Sequence, residues 1–154
     1  MLVMTEDGFK RVDVIGMVFE WNVCGPDLEF RLTVPGVGWL SVGFNPTERM
    51  MGANHILGYV ADGVGCIEDA YGTRPVGLAS DASLGGTSGA TLISSSESES
   101  EGTMIHLSIP LWSGDAYDKP LAAGKTYKVQ LGFHDSVDDF VTRHTSRTEI
   151  ELVL

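Results

Sequence analysis

The chain has 154 residues, the size of one domain and long enough to bury a core without disulfide or metal staples. Its 21 Asp and Glu against 10 Lys and Arg give a formal net charge of −11. No basic run offsets that field, which disfavours nucleic acid and anionic membrane and would steer in a basic partner. No stretch approaches the ~18 apolar residues of a bilayer-spanning helix.

Taken in chain order, the residues alternate with a period of two, and no 3.6-residue period is sustained. Met17, Phe19, Trp21 and Val23 alternate with Val18, Glu20 and Asn22. After a Gly25-Pro26-Asp27 turn, Leu28, Phe30, Leu32 and Val34 alternate with Glu29, Arg31 and Thr33. Pro35-Gly36 then leads into Leu40, Val42 and Phe44, with Trp39 in the opposite phase. Residues 54–61 and 64–71 form a hairpin around Asp62-Gly63, a dipeptide suited to a two-residue turn. Further strands follow at 103–109 and 127–133, and a last one at 150–154. About ten short strands of this kind, separated by turn signals, predict an all-β fold, an antiparallel immunoglobulin-like sandwich forming one domain over 1–154.

Three stretches read as connections. Residues 73–89 are rich in Gly, Ser and Ala. Residues 94–101 (SSSESESE) suit a solvated strand end or flexible turn, and residues 111–119 an irregular link. Cys24 and Cys66 are the only cysteines, and they either pair or lie buried as unreactive thiols. No C-x-x-C-H is present, which excludes covalent c-type haem. Neither a G-x-S-x-G elbow, a phosphate loop nor an H-E-x-x-H motif occurs, so the chain is expected not to be an enzyme.

A set of segments recurs in a fixed order. Residues 38–46 read GWLSVGFNP, followed by Met50-Met51-Gly52-Ala53-Asn54 and then Ile56-Leu57-Gly58-Tyr59. Asp69-Ala70-Tyr71 comes next, then Ser113-Gly114-Asp115, then His144-Thr145-Ser146-Arg147. This order over residues 15–150 resembles the DOMON family. The chain departs from its pattern at Asn54, where Asp is common, and at Thr145, where Gly or Ser is usual.

The resemblance implies a sandwich with a ligand pocket toward one end, and relatives that bind b-type haem through a Met of the early loop and a His of the late motif. Carried over, the axial ligands of a non-covalent haem b are Met50 and His144. Met51 is the rival of Met50. His55 is the rival of His144, although it follows Met50 too closely to reach the opposite haem face easily. Met51, Trp39, Tyr59, Phe133, Phe140 and Arg147 are the candidate pocket residues, while His106 and His134 lie in polar phase and are expected to be solvated. Thioether and imidazole together fill both axial positions of iron, which suits electron transfer rather than catalysis.

Such a module needs a redox partner protein or a fused redox domain, with a basic docking surface. The start, Met1 to Asp7, lacks the basic flank and apolar core of a signal peptide. The expectation is nevertheless an extracytoplasmic domain whose leader lies outside this chain, with a cytoplasmic one as the alternative. The alternative function is a carbohydrate-binding or adhesion module that stacks sugars on exposed Trp39 or Trp112.

Overall fold

The computed structural model describes residues 2–44, 54–74, 77–80, 90–111, 121–134, 136 and 146–154. Where apolar and polar residues alternate, the chain runs as extended strands whose apolar side chains share one face. The strands are β1 (Leu2–Met4), β2 (Lys10–Val14), β3 (Met17–Cys24), β4 (Asp27–Val34), β5 (Leu40–Phe44) and β6 (Asn54–Ala61). They continue as β7 (Val64–Arg74), β8 (Gly77–Ser80), β9 (Thr91–Ser98), β10 (Gly102–Pro110), β11 (Thr126–Phe133) and β12 (Ser146–Val153).

All pairings are antiparallel. They form two six-stranded sheets, ordered β1-β2-β3-β4-β10-β9 and β12-β11-β5-β6-β7-β8. The inner faces meet in one core, and Met17, Phe19, Phe30, Leu32, Val42 and Phe44 are wholly buried in it. Phe30 of one sheet meets Phe44 of the other edge-on, with ring centroids 5.4 Å apart. The Trp21 indole Nε1 donates to the Val153 carbonyl at 3.0 Å, tying β3 to β12. Thr103, the wholly buried hydroxyl of β10, lies 3.0 Å from the Gly36 carbonyl and 2.9 Å from a Glu97 carboxylate oxygen.

Among the described residues twelve strands form, where about ten are expected. The stretch 73–89 contributes the end of β7 and all of β8. The Ser- and Glu-rich stretch contributes most of β9, an edge strand whose partner supplies the ladder and whose outer side is wet. Asp62 and Gly63 both have positive φ (52° and 76°), as the expected two-residue turn requires.

The two cysteines neither pair nor lie buried together. Both are free; Cys24 is exposed and Cys66 half-buried. The ladder gives the reason. Cys24 shares the phase of Asn22 on the outer side of the first sheet, and Cys66 lies opposite Tyr59 on the outer side of the second. The whole sandwich stands between them.

Candidate functional site

In an antiparallel sandwich the inner side of each strand is buried and the outer side is wet. The first sheet follows that rule, with Glu20, Glu29 and Arg31 on its outer face, partly exposed. The middle of the second sheet breaks it. On the outer phase of β5, β6 and β11, His55 is 3% exposed, Leu57 6% and Trp39 (just before β5) 5%, and Gly43 and Gly132 are buried too. Ser41, Tyr59 and Gln130 are half-buried. At the β12 edge the outer face is wet again, with Arg147, Glu149 and Glu151 exposed.

The register arranges these residues in rows across the strands. Gly132, Ser41 and Leu57 form one row, and Gln130, Gly43 and His55 the next. Continuing the register by one residue brings Trp39 opposite Tyr59, and the Trp39 carbonyl accepts the His134 N–H at 2.8 Å. Ser41 and Gly132 are small, the His55 ring lies over Gly43, and Trp39, Tyr59 and Leu57 complete the face. Arg147 stands beside Gly132, and Gln130 Nε2 donates to Glu149 Oε2 at 3.3 Å.

Met50, Met51, Phe140 and His144 lie outside the described residues, as does Trp112. The strand ends that carry those segments are fixed. Residues 45–53 join Phe44 to its ladder partner Asn54, and residues 134–145 join Phe133 to its partner Ser146. β11 runs antiparallel to β5, with Val129 opposite Phe44 and Phe133 opposite Leu40. The two segments therefore leave from opposite ends of the sheet, separated by four residues of strand, about 14 Å.

Of the other candidates, Trp39 and Tyr59 belong to this face and Arg147 to its rim. Phe133 does not line it: sharing the phase of Val129 and Leu131, its side chain joins the inner core at 5% exposure. His106 is not a solvated surface residue either. It is half-buried, with the Phe9 ring edge-on at 5.9 Å and a Glu29 oxygen 3.8 Å from Nε2; burial pulls its pKa below the ordinary histidine value. His134 is half-buried, and its Nδ1 accepts the Ser136 N–H at 3.1 Å. Sequence reasoning missed His55 as a residue of this floor. The available signal was the run His55-Ile56-Leu57-Gly58-Tyr59-Val60, large on both phases, which a strand with one wet side does not need.

The profile of the DOMON domain matches residues 16–134. The chain belongs to the DOMON family. The match ends before His144, so the late histidine of this DOMON domain rests on its own short motif. Solved structures that share the fold include two cytochrome domains. The cytochrome b domain of pyranose dehydrogenase from Coprinopsis cinerea superposes with a TM-score of 0.70 at 14% identity, covering 94% of this chain and 81% of that one. The cytochrome domain of Myriococcum thermophilum cellobiose dehydrogenase gives 0.71 at 12% identity, covering 100% and 88%. At such identity the likeness is one of fold. No curated protein matches the chain in sequence. Among the described residues, no helix is long and apolar enough to cross a membrane.

Proposed function

We propose that this DOMON domain is a b-type, haem-binding electron-transfer module, with haem b held non-covalently and Met50 and His144 as axial ligands. The observation that carries the reading is the covered outer face of β5, β6 and β11, in a fold shared with two cytochrome domains. A flat macrocycle needs a dry floor with little side-chain relief and aromatic flanks, and Ser41, Gly132, Trp39 and Tyr59 favour both. The donor chemistry fits as well. A thioether with an imidazole suits six-coordinate iron and favours its ferrous state, which supplies reversible one-electron transfer and leaves no open position for substrate.

This chain's own residues then have separate tasks. Met50 and His144 would hold the group. Trp39 and Leu57 keep water from the floor. Arg147, exposed beside Gly132, offers a guanidinium to a carboxylate at the rim. Met51 and Phe140 complete the proposed wall. The electrons come from or go to a redox partner, separate or fused, with a basic docking surface, in an extracytoplasmic compartment. A sugar-binding role through Trp39 is less well supported, because stacking needs an exposed aromatic and Trp39 is only 5% exposed; Trp112, the other aromatic of that reading, lies outside the described residues.

Purified protein titrated with haem and reduced with dithionite is expected to show a Soret peak with sharp α and β bands. His144→Ala is expected to abolish the six-coordinate spectrum. A wild-type protein that stays colourless on titration would falsify the proposal.

A further inference from the structure

Among the described residues the second sheet ends at β12, while the first continues past it. The Trp21 indole Nε1 of β3 and the Lys10 ammonium of β2 both reach the Val153 carbonyl of β12, at 3.0 and 3.2 Å, so β12 lies across from those two strands. β1 stands one strand further out, paired with β2. The burial of the inner phase records this overhang. Trp21, Lys10 and Met4 form one row across β3, β2 and β1, and exposure rises from 2% at Trp21 to 64% at Met4. Val12 and Val14, on the same inner phase of β2, are half-buried. The free edge of β12 looks into this notch. The Leu154 N–H donates to the Lys125 carbonyl at 3.1 Å, and the ladder to β11 runs unbroken from Val153 back to Ser146. Alternate residues of an antiparallel pair turn both backbone groups to the same side. Leu152, Ile150 and Thr148 therefore bond to β11, whereas Arg147, Glu149 and Glu151 turn their N–H and C=O groups outward. Among the described residues no strand meets them.

We infer that this notch is a docking site for one extended strand of a partner protein, paired antiparallel with β12 and carrying apolar residues on one side and basic residues opposite Glu149 and Glu151. The inference is independent of the haem reading. A strand placed there lies about 4.8 Å from β12 and about 10 Å over β1 and β2, the spacings of a continued sandwich. Its backbone satisfies the outward groups of Arg147, Glu149 and Glu151, which is recognition by strand addition. Its inner side chains cover Met4, Val12 and Val14. Its outer side chains stand beside Glu151, Glu149 and Arg147, all exposed, which favours two cations and then an anion in that order. Charges on an edge ordinarily discourage pairing. Here they discourage a second copy, since two copies joined antiparallel over these residues set Glu149 against Glu149, in a chain already at −11. The Lys10 and Trp21 contacts occupy the Val153 carbonyl and close that end of the edge, so the guest strand extends from there toward Ser146.

The test titrates a labelled peptide of about seven residues into the whole chain and reads fluorescence anisotropy. Valine occupies alternate positions of the peptide, with lysine, lysine and glutamate, from its N-terminus, between them. Saturable binding is expected. The reversed sequence has the same composition but sets like charges opposite Glu151 and Arg147, and it should bind about tenfold more weakly. In the antiparallel pairing the N–H groups that face β12 belong to the charged residues of the peptide. N-methylation of those residues should abolish binding, whereas N-methylation of the valines should leave most of it. Glu149→Lys with Glu151→Lys, both on exposed positions, should lose this peptide and bind one carrying glutamate in place of lysine, with an unchanged far-UV circular dichroism spectrum. Binding that ignores both the reversal and the methylation pattern overturns the inference, because charge attraction alone then accounts for it. The absence of saturable binding overturns it too, as does a wild type that sediments as a dimer joined through β12. Protein that stays colourless on haem titration yet binds the peptide removes the haem reading alone, and haem-loaded protein that binds no peptide removes this inference alone.

Discussion

At the scale of single residues, phase within a strand decides what can be read. Trp39 was legible as a residue of the outer face because it falls out of step with Leu40, Val42 and Phe44, and it lies buried on that side. Phe133 shares the phase of Val129 and Leu131, and its side chain joins them in the inner core. His55 was hidden: a single histidine in an apolar run says nothing of what lies across the ladder, and only the register shows that it meets a glycine. The same reasoning applies to the ligand segment. Met50 and Met51 are adjacent, and in an extended segment neighbouring side chains point to opposite sides, so only one can face iron. Counted back from Gly52-Ala53, the family pattern selects Met50 as the proposed ligand. Met50→Ala is expected to shift the Soret band and lower the reduction potential, since a soft ligand that favours ferrous iron is lost. Met51→Ala should leave the spectrum nearly unchanged and cost at most about 2–5 kcal/mol of packing. Spectral effects confined to Met51→Ala would move the register of the segment by one residue.

At the scale of elements, strands with one apolar side were legible and edge strands were not. β3, β4 and β10 bury alternate residues, and their sequences show it; β5 and β11 do so only in part, because Gly43 and Gly132 on the outer phase are buried as well. β9 conceals its identity twice. Most of its residues are Ser or Glu, because an edge strand has a wet rim that discourages further pairing. A bulge also breaks its phase: His106 pairs with Ser94 and Leu107 with Leu92, leaving Ile93 extra and 46% exposed.

β1 is only three residues long, and what holds it is a side-chain clamp invisible to pattern. The turn between β1 and β2 is fastened to β4 by Arg31, whose Nη1 lies 2.8 Å from Asp7 Oδ2 and whose guanidinium carbon sits 4.2 Å over the Phe9 ring. The hydrogen bond from Arg31, aided by one from Thr5, holds the Asp7 carboxyl at about 2, below its ordinary 3.8. A carboxyl depressed in the folded state stabilises above its unfolded value, and that contribution disappears as pH falls through the folded value. Asp7→Asn is therefore expected to lower the urea midpoint slightly at pH 7, with the gap to wild type closing between about pH 4 and pH 2. Asp7 is exposed, so the effect is small. A gap that is constant with pH would assign it to something other than the ion pair.

At the scale of the whole molecule, two properties belong to no single strand. One is the covered outer face of β5, β6 and β11, the central strands of their sheet. The other is the net charge of −11, spread over both sheets and the connections. Composition made the charge legible, yet not its use, since acidity alone also keeps a domain soluble. Around the proposed site the rim at β12 carries Glu149 and Glu151 beside Arg147, all exposed, so the edge nearest the floor shares the overall sign. A basic redox partner approaching from that side is attracted over a distance set by the ionic strength, roughly 30 Å at 0.01 M and 3 Å at 1 M. If docking is steered in this way, stopped-flow electron exchange between the haem-loaded domain and a small basic cytochrome should slow by about tenfold or more between 0.01 and 0.5 M salt. Glu149→Gln with Glu151→Gln should reduce both the rate at low salt and its salt dependence, while leaving the spectrum unchanged. An acidic electron donor of similar potential should show the reverse trend, its rate rising as salt screens the repulsion. A rate with the basic donor that stays flat across that range would mean the charge serves solubility and the docking surface lies elsewhere.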